Sequence, residues 1–145
     1  MKVLGIDPGF QAAGLAYFDG ATWSTRTVRP KLRGILPRCE EIRDALTSFG
    51  PWDLAVIERP QVYAQRLMKG DPNDEIMLAV LVGYLAAHCD CPVLLPTPHD
   101  WKGQTPKAIS HARIRKRVPD LGPCSKDALD AVGLALWGLE RNSNA

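Results

Sequence analysis

The chain has 145 residues, 46% of them hydrophobic and 23% charged, with a formal net charge of +2. That length suits one domain spanning residues 1–145, with a core that needs neither disulfides nor a structural metal. The composition excludes a fibrous or disordered protein, no segment is apolar for long enough to cross a bilayer, and the small charge does not by itself demand a polyanionic partner.

In chain order, Met1 to Asp7 reaches a charge too soon for the apolar stretch of a secretory signal, so a cytoplasmic location is expected. Lys2 to Asp7 predicts a strand stopped by Asp7-Pro8-Gly9. Ala13 to Phe18 and Thr22 to Val28 predict two more strands, joined at the hairpin signal Asp19-Gly20. From Leu36, the positions of Cys39, Ile42, Leu46 and Phe49 follow helical spacing until Gly50-Pro51 ends the run. Leu54 to Ile57 is a short continuous apolar run, as expected of a strand buried on both faces, and it delivers Glu58 at its end.

An irregular stretch follows, from Arg59 to Gly70. Asp71 or Asn73 then caps a helix whose Ile76, Val80, Gly83, Tyr84 and Ala87 recur on one stripe, expected to face the sheet. Pro92 to Leu95 predicts a brief strand. Thr105-Pro106 opens a basic helix to about Val118, and Ser125 caps a last helix from Lys126 to about Glu140. The predicted order is βββαβαβαα, an α/β fold with a mixed five-stranded sheet flanked by helices. Cys39, Cys89, Cys91 and Cys124 lack the paired spacing of a zinc site and read as free, partly buried thiols.

Four acids stand out. Asp7 ends the first strand beside a glycine, although an acid in a Pro-Gly turn also has a purely structural reading. Glu58 ends an apolar strand, where a charge is costly unless it is paired, for instance with Arg59, or bound to metal. Asp127 and Asp130 lie three apart on one face of the last helix. Asp127 complements the helix dipole, but Asp130 interrupts the apolar run from Ala128 to Leu136 and needs a strong partner. Were these acids to converge, their repulsion would call for cations. Oxygen-only ligands favour Mg²⁺, with Mn²⁺ as a substitute; two ions roughly 4 Å apart would activate a water and stabilise the leaving oxygen of a phosphodiester.

Gly5-Ile6-Asp7-Pro8-Gly9, Glu58 closing an apolar strand, and Asp127-Ala128-Leu129-Asp130-Ala131 on an apolar helix together resemble the RuvC-like Holliday junction resolvases over nearly the whole chain. The resemblance implies a ribonuclease H-like fold, with Asp7, Glu58, Asp127 and Asp130 as the metal-binding catalytic acids. It also implies a homodimer that makes symmetric paired nicks in four-way DNA junctions, leaving 5′-phosphate and 3′-hydroxyl ends, and it gives the stripe of Ile76, Val80, Gly83 and Tyr84 a second reading beside the sheet-facing one, as partly dimer interface. The chain departs from the pattern at Arg59-Pro60, which separates Glu58 from Gln61-Val62-Tyr63; cellular members tend to place a similar Gln-Val-aromatic directly after the glutamate. Its shortness fits a phage or prophage version.

For DNA, Lys102, Lys107, Arg113, Arg115, Lys116 and Arg117 form an acid-free stretch that includes Trp101 and His111. Such a run can neutralise phosphates without reading sequence, or can be a solvated helix face. Tyr63, Gln65, Arg66 and Lys69 follow the glutamate and are expected to reach the junction, with Tyr63 either stacking on an unpaired base or covering the core. His88, His99 and His111 are not at ligand spacing with one another and read as surface or satisfied polar residues. The competing functions are a related nuclease for flaps, forks or hybrids, a nucleotide-binding domain of the sugar kinase and actin type, and a non-catalytic DNA-binding module. The second needs more glycine-rich phosphate loops than this chain has, and the third is disfavoured by the presence of all four acids.

Overall fold

A computed structural model describes residues 1–64 and 70–144. Five strands form one mixed sheet: β1 (Val3–Asp7), β2 (Ala13–Phe18), β3 (Trp23–Val28), β4 (Leu54–Ile57) and β5 (Val93–Leu94), in the order β3-β2-β1-β4-β5. The meander β1 to β3 is antiparallel, while β4 and β5 run parallel to β1. The helices are α1 (Ile35–Leu46), α2 (Pro72–Ala87), α3 (Pro98–Lys102), α4 (Lys107–Arg117) and α5 (Lys126–Ser143).

Alternation along the strands sorts the core into two layers. Leu4, Ile6 and Ile57 point to one face and pack with Ile42 of α1 and Leu81 and Leu85 of α2. Val3, Leu54 and Val56 point to the other face, where Leu134 and Ala135 of α5 cover them. Helix α5 lies close to the sheet because two strand residues facing it are glycines: a β-carbon on Gly5 or Gly14 would overlap the backbone of Ala131 or Asp127.

The predicted elements are present with small shifts at their ends. Asp71 caps α2 by accepting from the Asn73 amide at 2.9 Å, and Ser125 caps α5 by accepting from the Ala128 amide at 3.0 Å. Helix α4 starts at Lys107, with Pro106 at its cap and no side-chain cap bond. The additional element is α3, whose Thr97 and Asp100 form a reciprocal capping box. Its five residues are too few for hydrophobic periodicity to show. The stripe on α2 also differs from expectation. Leu81, Val82 and Leu85 face the core, whereas Ile76 and Val80 are 64% and 44% exposed. Because α2 is apolar nearly all round, periodicity could not tell its inner face from its outer one. All four cysteines are free, Cys39 buried and the others partly so.

Candidate active site

The strand alternation that builds the core also aims two acids. Val3 and Gly5 of β1 face α5, so Asp7, two residues further on, faces it as well. On β4, Leu54 and Val56 face α5, and Glu58 continues that series. The parallel register pairs Gly5 with Val56 and Ile6 with Ile57, and the Glu58 amide donates to the Ile6 carbonyl at 3.1 Å. Asp7 and Glu58 therefore end adjacent strands on the same side of the sheet. Helix α5 crosses that side with Asp127 in its first turn and Asp130 one turn on, and Asp130 is only 3% exposed.

The electrostatics record the convergence. Burial, and then the carboxylates of Glu58, Asp130 and Asp127, push the Asp7 carboxyl up to about 8. Burial also raises Glu58, partly offset by its hydrogen bond from Trp101 and by the Lys102 ammonium. The four acids, drawn from three elements, form one coupled group.

Protein donors attend two of these acids. Lys107 Nζ lies 2.8 Å from Asp130 Oδ2, and His111 Nε2 lies 2.7 Å from Asp130 Oδ1. Lys107 and His111 are one turn apart on α4, so both reach the same carboxylate. Burial opposes the Lys107 charge, but the bond to Asp130 and the fields of Asp130, Asp7 and Asp127 outweigh it and raise its pKa. On Glu58, Trp101 Nε1 donates to Oε2 at 2.6 Å and Lys102 Nζ lies 3.8 Å from the same oxygen. Arg59, the partner expected from adjacency, instead donates to the Leu95 carbonyl at 3.0 Å. Among the described residues, no three His, Cys, Asp or Glu side chains are already closed around one point at metal-holding spacing. In this arrangement the Lys107 ammonium lies directly against Asp130.

The basic stretch divides by role. Lys102 and Lys107 belong to the acid pocket. Arg115 turns inward and donates to the Leu121 and Gly122 carbonyls, each at 2.9 Å, so it braces the α4–α5 connection and its guanidinium is not presented to a phosphate. Arg117 pairs with Glu140 at 2.7 Å on the surface, and Arg113 and Lys116 are exposed. Tyr63 is 45% exposed beside the still more exposed Val62, which is incompatible with its covering the core. Arg66 and Lys69, with Gln65, lie outside the described residues.

Three features escaped the sequence reading. His111 holds Asp130, although only the helical spacing between Lys107 and His111 hinted that they share a target. Trp101 holds Glu58 through a contact between α3 and the end of β4 that no local pattern encodes. Arg29 and Arg38 help line a cleft of about 610 Å³ with Gly9, Phe10 and Asp127.

No protein-family model matches the chain. A curated relative does: the crossover junction endodeoxyribonuclease RuvC of Thermobifida fusca (strain YX) is 30% identical over 164 residues, covering 99% of this chain and 86% of that protein. The chain belongs to the RuvC family. Solved RuvC structures share its fold: Thermus thermophilus RuvC in complex with a Holliday junction substrate superposes with a TM-score of 0.78 at 18% identity, over 100% of this chain and 96% of that one. The Fowlpox virus resolvase in complex with Holliday junction DNA gives 0.62 at 15% identity, over 98% and 99% of the two chains. The mixed sheet and its flanking helices are thus the ribonuclease H-like fold that RuvC and the poxvirus resolvase share.

Proposed function

We propose that the protein is a divalent-metal-dependent Holliday junction resolvase whose active site is Asp7, Glu58, Asp127 and Asp130. The observation that carries this reading is the meeting of Asp7 and Glu58, at the ends of adjacent strands, with Asp127 and buried Asp130 of α5, a grouping that together with burial raises the Asp7 carboxyl to about 8. Such a group is unfavourable without cations and is suited to binding them. The donor set is oxygen from carboxylates, which fits Mg²⁺ or Mn²⁺ and not a soft metal.

Asp7, Glu58, Asp127 and Asp130 would together hold the ions. When bound, two such ions supply charge neutralisation and an activated water for in-line attack on a phosphodiester, leaving 5′-phosphate and 3′-hydroxyl ends. The chain's own residues do the rest. Trp101 orients the Glu58 carboxylate, and His111 and Lys107 hold Asp130 on the side facing α4. The Lys107 ammonium would neutralise a phosphate of the scissile strand, and its half-exposed side chain leaves it room to do so. Arg113 and Lys116 would contact phosphates outside the pocket, and Arg117 would do so on release from Glu140. Tyr63 stands exposed on the segment after Glu58, as stacking on an unpaired junction base requires.

A junction presents two symmetric scissile bonds, so a two-fold dimer is the matching assembly. The exposed apolar outer stripe of α2, Ile76 with Val80, supports that reading. The test is cleavage of a synthetic four-way junction beside linear duplex, flap and hybrid controls. Symmetric paired nicks confined to the junction, dependent on Mg²⁺ and absent in Asp7→Asn with junction binding retained, are expected. Equal cleavage of flaps or hybrids would favour a broader branched-nucleic-acid nuclease, and cleavage by Asp7→Asn would refute the assigned site.

A further inference from the structure

We propose that Trp101 is a positioning residue for metal binding, fixing Glu58 through its indole N–H. This rests on the reading of Glu58 as a metal ligand. The indole donates at 2.6 Å to Oε2, and the Lys102 contact falls on the same oxygen, so both contacts concentrate on one side of the carboxylate and neither uses Oε1. A carboxylate held by one oxygen presents the other in a fixed direction, as a monodentate ligand requires. The donor is also neutral. An arginine or lysine at 2.6 Å would orient the acid but offset much of the charge that attracts a cation; an indole N–H orients it without adding to the partial offset that Lys102 already makes from 3.8 Å.

The indole is itself immobilised. Its ring packs where Gly133 of α5 lacks a side chain: a β-carbon there would lie 2.5 Å from Trp101 Cζ3 and 2.8 Å from Ile114 Cδ1. The Lys102 ammonium sits over the ring, 4.7 Å from its centre. The short helix carrying Trp101 is fixed at its start by the Thr97–Asp100 capping box, and Trp137 Nε1 donates to the Asp100 carbonyl at 3.1 Å. Trp137 makes the ordinary use of an indole N–H, a bond to the backbone. Trp101 directs the same group at an acid. A line of contact therefore runs from Gly133 through Trp101 to Glu58, and Gly133 is needed for the indole to reach.

The experiment measures Mn²⁺ binding to the full chain without DNA, from the electron paramagnetic resonance signal of free Mn²⁺, for the wild type, Glu58→Gln, Trp101→Phe and Gly133→Ala. It also follows the Trp101 indole N–H resonance, assigned as the one missing from Trp101→Phe. Expected are an affinity about tenfold weaker in Trp101→Phe and Gly133→Ala, and an indole resonance that moves upfield in Glu58→Gln. Wild-type Mn²⁺ binding by folded Trp101→Phe or Gly133→Ala, or an indole signal unmoved in Glu58→Gln, would overturn the proposal. Should Trp101→Phe fail to fold, Gly133→Ala carries the affinity test, and the assignment comes from through-bond correlation in the wild type. Wild-type binding by Glu58→Gln is a separate outcome: it would remove Glu58 from the metal site, whatever Trp101 does.

Discussion

His111 Nε2 lies 2.7 Å from Asp130 Oδ1, so the acid that interrupts the apolar face of α5 is met by a side chain from the neighbouring helix. With Lys107 on the other carboxylate oxygen, a buried charge that the sequence leaves unexplained acquires two partners. His111→Ala removes one of them from an almost fully buried acceptor, which costs about 1–3 kcal/mol. Urea unfolding of the metal-free protein checks this. Saturating Mg²⁺ is expected to recover part of the loss, since a cation substitutes for the missing donor.

The Asp7 carboxyl sets a pH dependence. Its pKa rises from 3.8 in the unfolded chain to about 8 in the fold, so between those values the folded protein keeps a proton that the unfolded chain has released. Stability from this group is complete below the unfolded value and is lost as pH climbs through the folded one. Metal-free protein should therefore lose stability across that window, and Asp7→Asn, which mimics the protonated acid, should lose less, keeping only the contribution of the other raised acid, Glu58. A thermal unfolding series against pH for the two proteins measures the difference.

Metal binding runs the other way. Below about pH 8, a cation at Asp7 must displace that proton, so Mg²⁺ affinity should rise about tenfold per pH unit and level off above it. Calorimetric titration in buffers of different ionisation enthalpy reads the released proton directly. Affinity independent of pH would mean that Asp7 is not a ligand.

Close packing of α5 on the sheet is what places Asp127 and Asp130 over the strand ends. Gly5→Ala puts a methyl group into the Ala131 backbone and should cost about 3 kcal/mol or prevent folding. Far-ultraviolet circular dichroism with denaturant melts tests it. Surviving folded protein should bind Mn²⁺ more weakly, because the acids of α5 are pushed away from Asp7.

The outer face of α2 tests the assembly. Val80→Asp places a charge on the exposed apolar stripe without touching Leu81 or Leu85, so the fold should be kept while a dimer dissociates. Sedimentation velocity of the wild type and the variant distinguishes the two states.

Much of this architecture is written locally in the sequence. The Asp19-Gly20 hairpin, the Leu54–Ile57 strand and the Ser125 cap each depend on residues near one another in the chain, and each appears in the structure where the pattern places it. Period-two alternation alone sends Asp7 and Glu58 to one face once β1 and β4 are neighbours. What the sequence hid is what depends on contacts between distant elements. Trp101 meets Glu58 across a separation of 43 residues, and Arg115 turns inward because two carbonyls at the α4–α5 connection need donors. A run of like charges cannot reveal which of its members are consumed by the protein itself.

Diffraction from crystals soaked in Mn²⁺, recorded for its anomalous signal, addresses the acid group most directly. Manganese peaks between Asp7 and Glu58 and beside Asp130, with Lys107 drawn back from Asp130, are expected. An acid pocket without manganese at saturating concentration, with Lys107 and His111 still holding Asp130, would contradict the metal-dependent site.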